Sequence, residues 1–313
     1  MRTIKKVASH IFIDGFGGMT QGLFATLIIG TMIQQIGLLI GGSTGNVIYL
    51  LGKAAAALTS AGIGVGVAVK YGESPLVTVS AAVAAMVGGY AGKITGGTFF
   101  VDGNAVLAGP GEPLGAFIAA FAGITCGHLV SGKTKVDIIV TPVITIGAGS
   151  VVGLLVGPPI SQMMTGLGSI INWATEQRPF IMGIVVSVVM GMVLTLPISS
   201  AALGIILNLS GLAAGAATIG CCCNMVGFAV ASYRENKFGG LVAQGLGTSM
   251  LQVPNIMRHP LIWLPVIFSS AILGPVSTIL ANMQNNATGS GMGSAGLVGQ
   301  ITTYQTMIAY DDQ

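Results

Sequence analysis

Residues Val185–Pro197 read VVSVVMGMVLTLP. A strand with one face toward lipid and one toward a lumen alternates apolar and polar residues, and a membrane barrel needs that alternation in strand after strand; this run does not alternate. The chain has 313 residues, 52% of them hydrophobic and only 7% charged, whereas a soluble surface needs about a quarter of its positions to be Lys, Arg, Asp or Glu. Such a chain cannot cover itself in water, so its apolar runs are read as membrane-spanning helices. The 49 glycines, with abundant Ala, Ser and Thr, predict close helix packing, because small residues let backbones approach inside a bilayer. The expected fold class is an all-α polytopic membrane protein.

Outward from Val185–Pro197, at about 20 residues per span, the expected spans are 19–40, 47–69, 75–92, 113–130, 138–156, 179–197 and 260–280. The start, MRTIKKVASHIFIDGFGG, carries Arg2, Lys5 and Lys6 like a secretory signal. The apolar run Met19–Ile40 exceeds the about 7 to 15 residues of a signal core, and no small-residue cleavage site with a soluble domain follows, so it reads as a retained first span. The four cysteines give no disulfide framework, since Cys126 stands alone and Cys221, Cys222 and Cys223 are consecutive in an apolar segment. Two Gly-rich stretches, Ser199–Ser232 and Phe238–Asn255, have lengths and interruptions that fit broken or re-entrant helices.

Basic residues gather in short cytoplasmic loops. With the N-terminus inside, Lys70, Lys133 with Lys135, and Arg234 with Lys237 all fall inside, provided that Ser199–Ser232 enters and returns on one face. The charge pattern therefore favours a hairpin with its turn near NLSGLAAGAATIG (Asn208–Gly220). The opposite side carries GGTFFVDGNAVLAGPGEP (Gly96–Pro113) and GPPISQMMTGLGSIINWATEQRP (Gly157–Pro179), whose last part reads as amphipathic and interfacial. No strong internal repeat is visible. The expected division is a scaffold and dimerisation bundle over 1–160, an amphipathic linker over 161–178 and a substrate domain over 179–313.

That last part holds most polar intramembrane residues: Asn208, Asn224, Gln244, Gln252, Asn255, Asn282, Asn285, Asn286 and Gln300. Neutral amides offer donors and acceptors together, which suits hydroxyl-rich solutes, and each serves equally well to glue helices. Glu112, in AGPGEPLGAF, either faces a substrate path or opens a helix beside Pro113 at its favourable N-terminal end. Asp102 and Asn104 read as a turn. His10, His128 and His259 flank spans without a second ligand at helical spacing, and three consecutive cysteines point about 100 degrees apart, so no metal site is expected. There is no Walker-type motif for nucleotide binding, no chain of intramembrane charges for an ion-driven pump and no dinucleotide fold.

PLGAFIAAFAG (Pro113–Gly123) and SGKTKVDIIVTPVITIGAGSVVGLLVGPPISQMMTGLGSIINW (Ser131–Trp173) resemble the membrane-embedded IIC subunit of sugar phosphotransferase systems, most nearly the fructose type. A closer resemblance, to the PfoR-like IIC family, rests on LSGLAAGAATIGCCCNMVGFAVASYRENKFGGLVAQGLGTSMLQVPNI (Leu209–Ile256) and AILGPVSTILANMQNNATGSGMGSAGLVGQI (Ala271–Ile301). The resemblance implies an EIIC-like fold: an N-terminal scaffold and homodimer bundle, a hinge, and a C-terminal domain with two re-entrant hairpins around a sugar site. It implies a IIB partner, with IIA behind it, that phosphorylates the bound sugar, so this chain positions the acceptor hydroxyl and needs no cofactor. Fructose-type subunits carry a Glu in the second hairpin where this chain has GMGSAG (Gly291–Gly296), with Ser294 and no acid. The family also continues into a further span where this chain reads ITTYQTMIAYDDQ, so a final helix is expected beyond it.

The expected solute-binding residues are Asn224, Gln252, Asn255, Asn285, Asn286, Ser294, Gln300 and Glu112. The leading expectation is a homodimeric IIC-type permease in a bacterial cytoplasmic membrane, binding a sugar or polyol, surrounded by lipid, with no nucleic-acid partner. A IIC-like sensor that controls gene expression without phosphotransfer, and a facilitator of an intact solute, are the alternatives.

Overall fold

The computed structural model describes residues 14–311 except 102, 108, 176 and 208, so His10, Asp102 and Asn208 lie outside the described residues. The described chain is almost wholly helical. Its strands are the pair β1 (Phe100–Val101) and β2 (Asn104–Ala105), an antiparallel hairpin turning at Gly103. Five helices are long and apolar enough to cross a membrane: Phe16–Ile40, Pro113–Val130, Asp137–Ile160, Gly211–Ala231 and Pro260–Leu280. The chain is thus an all-α multi-pass membrane protein. It divides into two compact units, one of residues 14–30 and 50–163, the other of 31–49 and 164–311.

The first unit is built by small residues. In α1 (Phe16–Ile40), a Cβ on Gly22 would lie 2.0 Å from the Gly62 carbonyl oxygen. Gly62 belongs to α3 (Thr59–Lys70), so these two helices touch backbone to backbone. Between them comes α2 (Gly42–Ala57). α4 (Pro75–Gly89) starts at Ser74, whose hydroxyl accepts from the Val77 amide, and α5 (Ala91–Thr95) follows it. α6 (Pro113–Val130) packs its buried Phe117 ring 4.8 Å from Phe16.

Two expectations need correction here. The span expected over 47–69 is two helices bent by 53°, because Leu58 leaves helical geometry (φ −87°, ψ 10°) and its amide tightens onto Ala55 at 3.2 Å. The span expected over 75–92 stops at Gly89, before Tyr90. α7 (Asp137–Thr175) is one helix of 39 residues that passes through Pro158 and Pro159, and its part Asp137–Ile160 is the membrane span.

The second unit centres on α8 (Pro179–Thr195), α10 (Gly211–Ala231) and α13 (Leu264–Pro275). A Cβ on Gly220 would lie 1.8 Å from the Ser187 carbonyl oxygen, and one on Gly274 2.1 Å from that of Gly183. Ser187 sits beside Gly220 and Gly191 beside Asn224, so consecutive helices α8 and α10 run parallel. The residues between them, 196–210, must therefore run back the length of α8. They do so through α9 (Ser200–Ile206) and a turn that ends at Gly211, whose φ of 58° suits only a residue without a Cβ. Thr195 and Ala231 consequently lie at the same end of the unit. Of the stretch expected to hold the turn, LAAGAATIG (Leu212–Gly220) is already helix, as its alanines favour. α13 is antiparallel to α8, with Ser270 beside Ser187 and Thr278 bonded to Pro179. Between them, α11 (Tyr233–Val242) is broken at Lys237 (φ 52°), and α12 (Val253–Arg258) follows a π turn, Ala243–Gly247, and a 3-10 turn, Ser249–Gln252.

Candidate functional site

α10 organises the polar residues of the second unit by presenting different faces. Gly220 and Asn224 point at α8 and α13, while Thr218, Cys222 and Met225, at i, i+4 and i+7, form another stripe. Asn224 is fully buried and its amide is saturated. Its Nδ2 donates to the Gly220 carbonyl (3.1 Å) and Ser270 Oγ (3.2 Å), and its Oδ1 accepts from Thr195 Oγ1 (3.2 Å) and Trp263 Nε1 (3.1 Å). Thr195 continues to Ser249 Oγ at 2.9 Å.

The stripe receives the second tip. Past α13 and a π turn, Val276–Leu280, the backbone turns at Asn282 (φ 44°), a conformation that Asn tolerates, and becomes extended. Asn285 pairs its backbone with Gly211, so the two hairpin tips meet there. Its side-chain Nδ2 donates to Thr218 Oγ1 (2.7 Å) and the Gly299 carbonyl (3.2 Å), and its Oδ1 accepts from the Asn286 amide (2.8 Å). Asn286 caps α14 (Ala287–Ser290) by accepting from the Gly289 amide. Ser200 of α9 donates to the Gly291 carbonyl at 2.6 Å. Ser294 donates to the Gly245 carbonyl (2.5 Å) and rests on Met225. Gln300, on α15 (Val298–Asp311), is exposed and donates to Cys222 Sγ at 3.6 Å.

A second polar chain begins one residue before Gly245. Gln244 Nε2 donates to Ser232 Oγ, Gln252 Nε2 to Gln244 Oε1, and Asn255 Nδ2 to Gln252 Oε1, each at 2.8 Å. Gln244 and Gln252 are buried and Asn255 is exposed. Seven of the eight expected site residues thus belong to the second unit. Glu112 belongs to the first, where it stands immediately before Pro113 of α6 with its backbone amide on the Gly89 carbonyl (2.7 Å).

The buried polar side chains among the described residues are all Ser, Thr, Asn or Gln. No group of three His, Cys, Asp or Glu able to hold a metal exists among the described residues. The three cysteines point apart: Cys221 Sγ approaches the Met190 and Ser290 carbonyls while Cys222 accepts from Gln300. A cavity of about 460 Å³ lies beside the first tip, lined by residues such as Gln177, Met182, Leu207 and Ser210. Its lining mixes polar residues such as Thr175, Gln177 and Ser210 with apolar ones and contains none of the expected amides.

The family model of the phosphotransferase system EIIC matches residues 13–311, nearly the whole chain. The chain belongs to that family. This EIIC chain is therefore a multi-pass membrane component of a sugar-transporting phosphotransferase system. No curated protein and no solved structure shows a significant similarity to it.

Sequence reasoning named Gln252 together with its partners Gln244 and Asn255, but it named Asn224 and Asn285 without Thr195, Trp263, Ser270 or Thr218. Thr218, Cys222 and Met225 were detectable as an i, i+4, i+7 stripe. Trp263 and Ser270 were not, since they bond Asn224 from 39 and 46 residues away. Likewise His128 pairs with Glu73 at 3.0 Å from 55 residues away, a partner that no local spacing signals.

Proposed function

We propose that this EIIC chain binds a sugar or sugar-like polyol in its second unit and presents a hydroxyl of that solute to a IIB partner for phosphorylation. The observation that carries the reading is the interior of uncharged amides and hydroxyls, whose paired donors and acceptors match the hydroxyls of a neutral polyol. Within it the residues divide their work. Asn224, Asn285, Gln252 and Ser294 have their hydrogen bonds made within the protein and hold the frame. Asn255, Asn286 and Gln300, at least partly accessible, face the solute. Glu112 is a helix-start residue outside this set.

The same reading places residues 1–160 as the scaffold and homodimer bundle, 161–178 as the hinge and 179–313 as the substrate domain. It sets the N-terminus on the cytoplasmic side of a bacterial membrane. IIB, charged in turn by IIA, docks near Arg234 and Lys237, which are exposed. Lipid surrounds the apolar faces.

The test is thermal unfolding of the purified protein against D-fructose, D-glucose, D-mannitol and their phosphates. A ligand at 100 times its dissociation constant adds about 2.7 kcal/mol. A shift lost in Gln300→Ala and reduced in Asn255→Ala supports the reading; a shift lost instead in Gln177→Ala moves the solute to the 460 Å³ cavity. One observation favours a second reading, a IIC-like sensor without phosphotransfer: the hairpin position that holds an acid in fructose-type subunits is Ser294, its hydroxyl already committed to the Gly245 carbonyl. Solute binding without phosphotransfer in the presence of every IIB of the host would establish it.

A further inference from the structure

The chain Asn255–Gln252–Gln244–Ser232 draws its members from four separate elements: α12, a 3-10 turn, a π turn and the C-terminal end of α10. Its donors all run one way. Ser232 Oγ accepts from Gln244, which frees the Gln244 carbonyl to accept from Gln252, whose carbonyl in turn accepts from Asn255. Gln244 is 3% exposed and Gln252 5%, so neither amide turns over alone without leaving a buried donor facing a donor. The π turn matters to this arrangement, because a widened turn redirects the side chain it carries, and such turns cluster at functional positions. The chain ends at the exposed Asn255, whose Nδ2 is committed inward. With Nδ2 so committed, the Asn255 side-chain carbonyl oxygen is the end of the chain, and among the described residues nothing bonds to it. Bonds in a one-way chain polarise each other, which makes that terminal oxygen a better acceptor.

We infer that Gln244 and Ser232 are positioning residues that fix the Asn255 amide with its oxygen toward the solute, so that the site demands a hydroxyl donor at one position of the sugar. The inference rests on the solute-binding reading above and deepens it. An acceptor oxygen takes the hydrogen of a hydroxyl; it gains nothing from a fluorine or an ether oxygen, which only accept. Neither Gln244 nor Ser232 touches the solute. Their effect passes through Gln252 and Asn255.

The experiment measures dissociation constants of whichever of D-fructose, D-glucose or D-mannitol stabilises the wild type, together with its complete sets of mono-deoxyfluoro and mono-O-methyl derivatives. In the wild type, fluorination and methylation at one hydroxyl each weaken binding about tenfold, the value of one hydrogen bond. Asn255→Ala weakens the parent sugar about tenfold and erases the penalty for fluorine at that hydroxyl alone. Gln244→Met, close in size to Gln but without an amide, and Ser232→Ala reduce the fluorine penalty at that hydroxyl to about threefold or less, with penalties elsewhere unchanged. A protein weakened only by poor folding loses all positions together, and Gln244→Glu, measured alongside, checks that the turn tolerates replacement. The inference is overturned if Gln244→Met and Ser232→Ala keep the wild-type profile while Asn255→Ala loses affinity, a result that leaves the solute site standing. Fluorine tolerated at every position in the wild type also overturns it. If no sugar binds, or Asn255→Ala and Gln300→Ala both bind as the wild type does, the solute reading falls first and this inference with it.

Discussion

Replacing Asn224 by Leu separates a frame residue from a ligand residue. The two side chains have nearly the same shape, so Leu enters the space beside Gly191 without a new cavity, and what is lost is polarity. Four hydrogen bonds disappear, to Thr195, Trp263, Gly220 and Ser270. Three of them join separate elements and the one to Gly220 lies within α10; counted alike at about 0.6 kcal/mol each, the average for polar contacts between membrane helices, they give about 2.4 kcal/mol. The partners do not suffer equally. Thr195 keeps Ser249 and Gly191, and Ser270 keeps the Val266 carbonyl. The Trp263 indole N–H has Asn224 as its partner, and leaving it unsatisfied adds about 1 kcal/mol or more. The expected cost of Asn224→Leu is therefore about 3 to 4 kcal/mol, read as a shift in equilibrium unfolding in mixed detergent micelles without any solute. Trp263→Phe removes the same indole bond from the other side, so the double variant should cost about 1 kcal/mol less than the two single losses together. A loss below about 1 kcal/mol for Asn224→Leu, with solute binding abolished, would refute the argument and make Asn224 a ligand residue.

Other outcomes follow from the same geometry. Gly220→Ala should cost about 3 kcal/mol or prevent folding, because its Cβ would sit 1.8 Å from the Ser187 carbonyl oxygen; expression and thermal unfolding measure it. Asn285→Ala should lower the unfolding temperature and abolish binding together, whereas Gln300→Ala should abolish binding with the unfolding temperature unchanged. Glu112→Gln should bind solute as the wild type does, and a large loss in a binding titration would return Glu112 to the site. Burial first, and then the Asp14 carboxylate, push the Tyr71 phenol up to about 12 from its ordinary 10. The folded state thus holds that proton more tightly, its contribution is complete below about pH 10, and stability falls as pH rises toward 12. Tyr71→Phe should flatten that part of an unfolding-midpoint profile.

Composition and the unbroken apolar runs made the membrane-spanning class legible. Helix ends were less so. Nothing in LLGKAAAALTSAGIG marks Leu58 as a bend, since alanine and leucine favour helix on both sides. Pro158 and Pro159, ordinarily helix breakers, lie inside α7, because within a membrane protein the backbone groups a proline frees find other partners. Amides announced themselves by being costly in an apolar chain, but whether each is frame or rim depends on partners such as Trp263 and Thr218, distant in sequence and close only once α8, α10 and α13 have packed.

The glycine contacts between α8 and α10 also bear on how new specificities arise. Where two backbones touch, as at Gly220 and Ser187, no side chain stands between them to be exchanged, so these positions admit almost no variation. The accessible amides Asn255, Asn286 and Gln300 carry no such restriction. A descendant of this protein can therefore drift from one polyol to another by changing its rim, without a passage through unfolded intermediates.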